Sequence, residues 1–174
     1  MSRNDRIRRV VILCCAFARN LAYYRAGWSL EHKGLLENTF WRQVNNNFVD
    51  MCVLEWCKLF GDQKEKHYWG KIVTNRAAFK AGLLLHLGLD DKAFEGEISD
   101  MRKLRDEHIA HLDSDLTGYI PQLDIAKKTV WFYYEHVVNH EAKPGDLLNL
   151  PIDIDRGYLA CEEEAKAILQ MNAL

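Results

Sequence analysis

The stretch that decides the fold is Phe94-Glu-Gly-Glu-Ile98-Ser-Asp-Met101-Arg-Lys-Leu104-Arg105-Asp106-Glu107-His108-Ile109-Ala-His111-Leu112. At about 100° per residue, Phe94, Ile98, Met101, Ile109 and Leu112 fall within roughly 80° of one another on a helical wheel. That spacing predicts an amphipathic helix with one inward stripe. Arg105 lands near the middle of the stripe, His108 on it, and His111 at its edge beside Leu104. A guanidinium keeps its charge and is almost never buried without a partner. The helix therefore either meets a carboxylate inside the fold or opens onto a cleft that needs a fixed positive charge beside imidazoles. The second arrangement suits the handling of phosphate.

The same periodicity extends outward in both directions. Ile7, Val10, Cys14, Phe17, Leu21, Tyr24 and Trp28 form one stripe, which predicts a first helix from Asp5 to Gly27. Ser29 and Asn38 are both N-cap residues, so residues 29–37 read as a short helical turn before a helix from Asn38 to Phe60, ended by Gly61-Asp62. A third helix is expected from Lys64 to Leu87, closed by Gly88. Asp90 and Asp91 then cap the Arg105 helix. Asp113 to Gly118 reads as a loop, and Pro121 opens a fifth helix through Glu141. Pro144-Gly145 breaks the chain and the segment to Ile154 is irregular. Asp155 caps a last helix with Leu159, Ala165, Ile168 and Leu169 facing inward. Five to six helices with short connections and no convincing strand predict an all-α antiparallel bundle. Residues 1–174 form one domain in this reading.

Composition limits the function classes. The chain of 174 residues is 48% apolar and 28% charged, ordinary for a globular protein with a sizeable core. Its formal net charge of −2 gives no bulk attraction to nucleic acid, so any RNA contact must come from a local patch. Five cysteines, with no Cys-x-x-Cys, argue against structural zinc and against a disulfide framework. They read as reduced core thiols of a cytoplasmic protein. Arg3, Arg6, Arg8 and Arg9 before Val10–Ala18 imitate a signal peptide, but the apolar stripe keeps phase through that point, which favours a retained helix. No apolar run approaches the roughly 20 residues that cross a bilayer.

Glu55 has the same oddity as Arg105. It falls at the centre of a face made by Phe40, Val44, Phe48, Met51, Cys52 and Leu59. A Glu55–Arg105 ion pair is thus a purely structural explanation of both residues. The chemical explanation starts from Arg105-Asp-Glu-His-Ile-Ala-His111, which gathers an arginine, two acids and two imidazoles. Metal-free RNA cleavage needs a base for the 2′-hydroxyl, an acid for the leaving oxygen, and a cation on the phosphorane-like transition state. Imidazole titrates near neutrality and guanidinium matches phosphate oxygens, so these residue types suit the task. Elsewhere, His136 and His140 stand at a spacing that can hold a metal, but a third ligand would have to come from Glu135, Glu141 or elsewhere. The zincin pattern requires Glu where Val137 stands, and a polar helix face is the expectation. Trp131-Phe-Tyr-Tyr134 surrounds its helix with rings and is expected to serve core and interface rather than base stacking, with Lys127 and Lys128 solvated.

Arg105-Asp106-x-x-x-x-His111, late in an all-helical chain, resembles the signature of the HEPN superfamily (higher eukaryotes and prokaryotes nucleotide-binding). Leu104–Asp113, together with Phe48-Val-Asp-Met-Cys-Val-Leu-Glu-Trp-Cys-Lys-Leu-Phe-Gly61 and His67-Tyr-Trp69, is similar to the abortive-infection branch. The resemblance covers about residues 38–115. It implies a HEPN-like bundle that forms a homodimer with motif helices facing, and a metal-independent endoribonuclease without cofactor. Such proteins act as toxins or antiviral defence effectors, some opposed by an antitoxin. On this resemblance His111 is the general acid/base, Arg105 the phosphate binder and Asp106 the orienting residue. Glu55, His108 and Glu107 are candidates for support. The second reading is a catalytically silent module of the same fold that binds nucleotide, RNA or a protein partner.

Overall fold

The computed structural model describes residues 2–29, 37–109, 123–150 and 153–172. Seven α-helices and no strand occur among the described residues. The axis of the fold is α1 (Arg3–Gly27). Ser2 opens it with a capping box: its hydroxyl accepts from Asp5 N at 3.1 Å while the Asp5 carboxylate accepts from Ser2 N at 3.0 Å. Ile7, Val10, Cys14, Phe17, Leu21 and Tyr24 are buried, as their spacing predicts, and so are Val11, Ala18 and Ala22 on adjoining faces. A helix covered over so much of its circumference needs neighbours on several sides. They are α2 (Thr39–Trp56), α6 (Asp124–His136) and α7 (Ile154–Asn172).

Specific contacts set the directions of these neighbours. Cys52 Sγ approaches Phe17 O at 3.8 Å and the rings of Tyr23 and Phe48 lie 5.1 Å apart, so α2 runs antiparallel to α1. Arg25 pairs with Asp124 at one end, at 2.5 Å, and Arg3 with Glu141 at the other, so α6 is antiparallel too. Arg8 donates to the carbonyls of Asp146 and Leu148, while Tyr23 Oη donates to Glu164 at 2.7 Å; α7 therefore runs parallel to α1. At the α1–α2 crossing the backbone at Gly27 comes so close to Asn45 that a Cβ would stand 2.3 Å from its amide. Asn45 is turned to donate to Tyr24 O (3.2 Å) and accept from Trp28 Nε1 (2.9 Å). Inside the bundle, Trp56 Nε1 donates to Thr129 Oγ1 at 2.7 Å, and that hydroxyl donates to Ala126 O at 2.8 Å.

Several sequence expectations need correction. The helix expected over Lys64–Leu87 is two: a single turn α3 (Trp69–Ile72) and α4 (Arg76–Leu87). The side chain of Asn75 accepts from Ala78 N at 3.1 Å, and Glu141 captures Thr74 N at 2.7 Å. These bonds take backbone donors that a continuous helix would need. Gly88 closes α4 with φ 67°, as a left-handed cap. The final helix is capped by Asp153, which accepts from Arg156 N at 2.8 Å, rather than by Asp155, which turns to accept from Trp131 Nε1 at 2.7 Å. Its inward stripe is accordingly Ile154, Tyr158, Ala165 and Leu169; Leu159 and Ile168 are exposed. On α2, Phe40 and Met51 are exposed, and Asn45, Val53 and Trp56 are buried with Cys52. Cys14, Cys52 and Cys57 are buried free thiols. No described helix is long and apolar enough to cross a membrane. The turn expected over residues 29–37, the loop Asp113–Gly118 and the start at Pro121 lie wholly or mostly outside the described residues.

One local feature recurs. α2, α5 (Asp91–Leu104) and α6 each run on into a five-residue π-helical turn, at Cys57–Gly61, Arg105–Ile109 and Val137–Glu141. The first and third close with Asp62 N donating to Cys57 O (2.8 Å) and Ala142 N to Val137 O (2.9 Å). A π turn inserts a residue and rotates everything after it relative to an α-helical wheel.

Candidate functional site

The Arg105 helix, α5, is anchored at both ends. Asp90 caps it by accepting from Ala93 N at 2.7 Å, and the Lys80–Asp91 ion pair ties its first turn to α4. Phe94, Ile98 and Met101 are buried, with Phe94 edge-on to Phe60. Cys57 Sγ lies 3.7 Å from Met101 O and fixes the last turn against the end of α2. The inward stripe holds through Met101 and then opens. Arg105, the first residue of the π turn, has a side chain 26% exposed, and its Nε donates to Asp106 Oδ1 at 2.8 Å. That bond raises the guanidinium pKa further, so the positive charge is permanent.

Glu55 is not its partner. The Glu55 carboxylate is buried against α1, where Asn20 Nδ2 donates to it at 3.2 Å. Burial pushes its carboxyl up to about 7, against the opposing pull of the Asn20 bond and the charges of Lys58 and Arg19. The ion pair that would have explained both residues is therefore not formed: Asn20 occupies the acid and Asp106 the base. Glu107 faces Lys103 at 3.8 Å, a solvent-side pair one helical turn apart. The side chain of His108 and the whole of His111 lie outside the described residues. Among the proposed site residues, Arg105 and Asp106 are brought together and Glu55 stands apart.

A second polar cluster forms where α6 ends, and sequence reasoning found only part of it. Glu141, the last residue of its π turn, is buried, with a side chain only 3% exposed. It accepts from Thr74 N and Thr74 Oγ1, each at 2.7 Å, and pairs with Arg3; His136 Nε2 lies 3.3 Å from its other oxygen. Burial alone would raise this carboxyl, but Thr74, His136 and Arg3 outweigh it and hold the group below its usual range. His136 is lowered by burial, only partly offset by Glu141, so it is neutral near neutral pH. Above the carboxylate opens a cleft of about 420 Å³ lined by Thr74, Asn75, Phe79, Phe132, His136 and His140. The spacing of His136 and His140 was legible in the sequence. Arg3 and Thr74 come from remote segments, and no local pattern announces them.

The two imidazoles sit 5.0 Å apart between ring centroids. Among the described residues no group of three His, Cys, Asp or Glu is arranged to hold a metal ion, and Glu141 is already taken by Arg3 and Thr74. The ring run of α6 divides by face: Trp131, Tyr133 and Tyr134 are buried, while Phe132 is half-buried on the cleft. Lys127 lies over the rings of Trp131 and Tyr158, at 5.0 and 4.2 Å, and is not simply solvated. Comparison of the chain with family models, with characterised proteins and with solved structures finds no match.

Proposed function

We propose that the chain is a HEPN-like, metal-independent endoribonuclease, a toxin or antiviral defence effector that cleaves RNA with Arg105 and His111 in the cleft of a homodimer. The observation that carries this reading is the state of Arg105. Its guanidinium is partly exposed and held by its neighbour Asp106, not sealed against Glu55. A permanently charged, braced guanidinium at the opening end of an apolar helix is suited to phosphate oxygens. In the proposed reaction, an imidazole removes the 2′-hydroxyl proton, O2′ attacks phosphorus, and the P–O5′ bond breaks as O5′ takes a proton. His111 serves these proton transfers, and Arg105 stabilises the charge gathering on the non-bridging oxygens. A partner subunit would set a second Arg105–His111 pair opposite the first, and a protein antitoxin would act by covering that cleft.

The test is cleavage of a structured RNA in EDTA by the wild-type chain, Arg105→Ala and His111→Ala. The expected outcome is cleavage by the wild type and a loss of about 100-fold or more in each variant, with melting temperatures little changed. A size measurement should give a dimer. Equal cleavage by all three proteins, or full activity from a strict monomer, overturns the proposal.

A further inference from the structure

The cleft above Glu141 has the composition of a seat for a planar ring. Phe132, His136 and His140 follow one another along α6 and its closing turn, each four residues from the last. Phe79 of α4 lies behind them, 5.4 Å from Phe132 and 4.8 Å from His136 between centroids, and His86 flanks Phe132 at 5.3 Å. The cleft volume of about 420 Å³ lies within the usual range of small-ligand pockets, roughly 300–1,000 Å³. The charge of its buried acid is offset by the ion pair with Arg3, whose side chain is 40% exposed.

The polar edge is equally defined. Thr74 Oγ1 spends its proton on Glu141 and accepts from Arg3 Nη2 at 3.4 Å, so it is engaged inside the cluster. Asn75 Oδ1 is taken by Ala78 N, while its amide NH2 has no partner among the described residues. Neutral His136 presents a ring without charge, and His140 is exposed at the mouth. Aromatic and imidazole faces with a free amide donor at their edge match an unstacked nucleobase better than an aliphatic side chain.

We infer that this cleft seats one base of a single-stranded RNA, with Phe132 and His140 against the ring and the Asn75 amide at its edge. The inference rests on the reading that RNA is the substrate, and it gives the strand a docking point apart from Arg105. It assigns the cleft no part in bond breaking.

Fluorescence anisotropy with a fluorescein-labelled 2′-O-methyl hexauridylate, which lacks the nucleophilic hydroxyl, tests it directly. An abasic hexamer of the same length reports attraction to phosphates alone. His140→Ala removes an exposed ring and Phe132→Leu keeps apolar volume against Phe79; melting curves verify that both are folded. Each variant should weaken hexauridylate binding at least about fivefold, the lower end of a lost base–aromatic contact. Gln63→Ala, in an exposed loop, should leave it unchanged, and the abasic hexamer should bind the wild type weakly. The His140→Ala effect should persist in an Arg105→Ala background, so loss of cleavage without loss of this effect leaves the inference standing. Absence of hexauridylate binding by the wild type, equal binding by the folded cleft variants, or equal affinity for the abasic strand overturns it.

Discussion

Glu55 and Asn20 meet across the α1–α2 contact through one hydrogen bond of 3.2 Å, with both side chains buried. A carboxylate there is poorly solvated, and burial raises the folded pKa to about 7 from the ordinary 4.5. The folded state therefore binds the proton more tightly than the unfolded chain. This group's stabilisation is complete below about pH 4.5, falls as pH climbs through 7, and changes little beyond. The span corresponds to roughly 3 kcal/mol. Glu55→Gln keeps an acceptor for Asn20 and removes the titration. Urea midpoints should show the variant more stable than the wild type at about pH 8 and nearly equal to it at about pH 4.5. A variant less stable at alkaline pH would show that the charge, not its burial cost, matters there.

At the scale of elements, Glu141 joins three that share no sequence neighbourhood: the start of α1 through Arg3, the α3–α4 connection through Thr74, and the end of α6. Its removal leaves Arg3 and the Thr74 N–H without their shared acceptor. Glu141→Ala should destabilise the fold by roughly 1–3 kcal/mol, the cost of leaving the Thr74 N–H unsatisfied and losing the charged hydrogen bond to the part-exposed Arg3. Denaturant titration measures it, and a loss below about 1 kcal/mol would reduce the cluster to an ordinary surface pair. The same cluster explains why sequence reading joined α3 to α4. Apolar periodicity runs through Trp69, Ile72, Val73, Phe79 and Leu83, and the interruption is imposed by an acid nearly 70 positions away. The caps Asn38, Asp90 and Gly88 were legible, since each acts through its own neighbours. The phase of α7 was not, because Asp155 is drawn off by Trp131 and leaves the cap to Asp153.

For the whole molecule, the titrations oppose one another. Glu141 has a lowered folded pKa, so its contribution is present above about pH 4.5 and is lost as pH falls. His136 is lowered as well, which favours the neutral ring and costs stability as pH drops below its ordinary 6.5. Glu55 works in the opposite direction. Maximum stability should therefore fall at mildly acid pH, between about 4.5 and 7, and Glu55→Gln should move it to neutral pH or above. A melting-temperature profile across that range decides the matter; a wild-type maximum above about pH 8 would contradict it. The all-helical architecture and the central stripe of α1 were readable at this scale because each rests on one repeating period. The partners of Arg105 and Glu55 were not, because a wheel shows which residues turn inward without showing whom they meet.

The placement of α1 has a consequence for how the polypeptide matures. α1, which packs against α2, α6 and α7, is synthesised well before α7, one of its walls. Contacts separated by some 140 positions, such as Tyr23 with Glu164, close only once synthesis has passed them. Until then the apolar flank of the nascent helix has no permanent cover, so early termination upstream of α7 yields a sticky fragment rather than a smaller working domain.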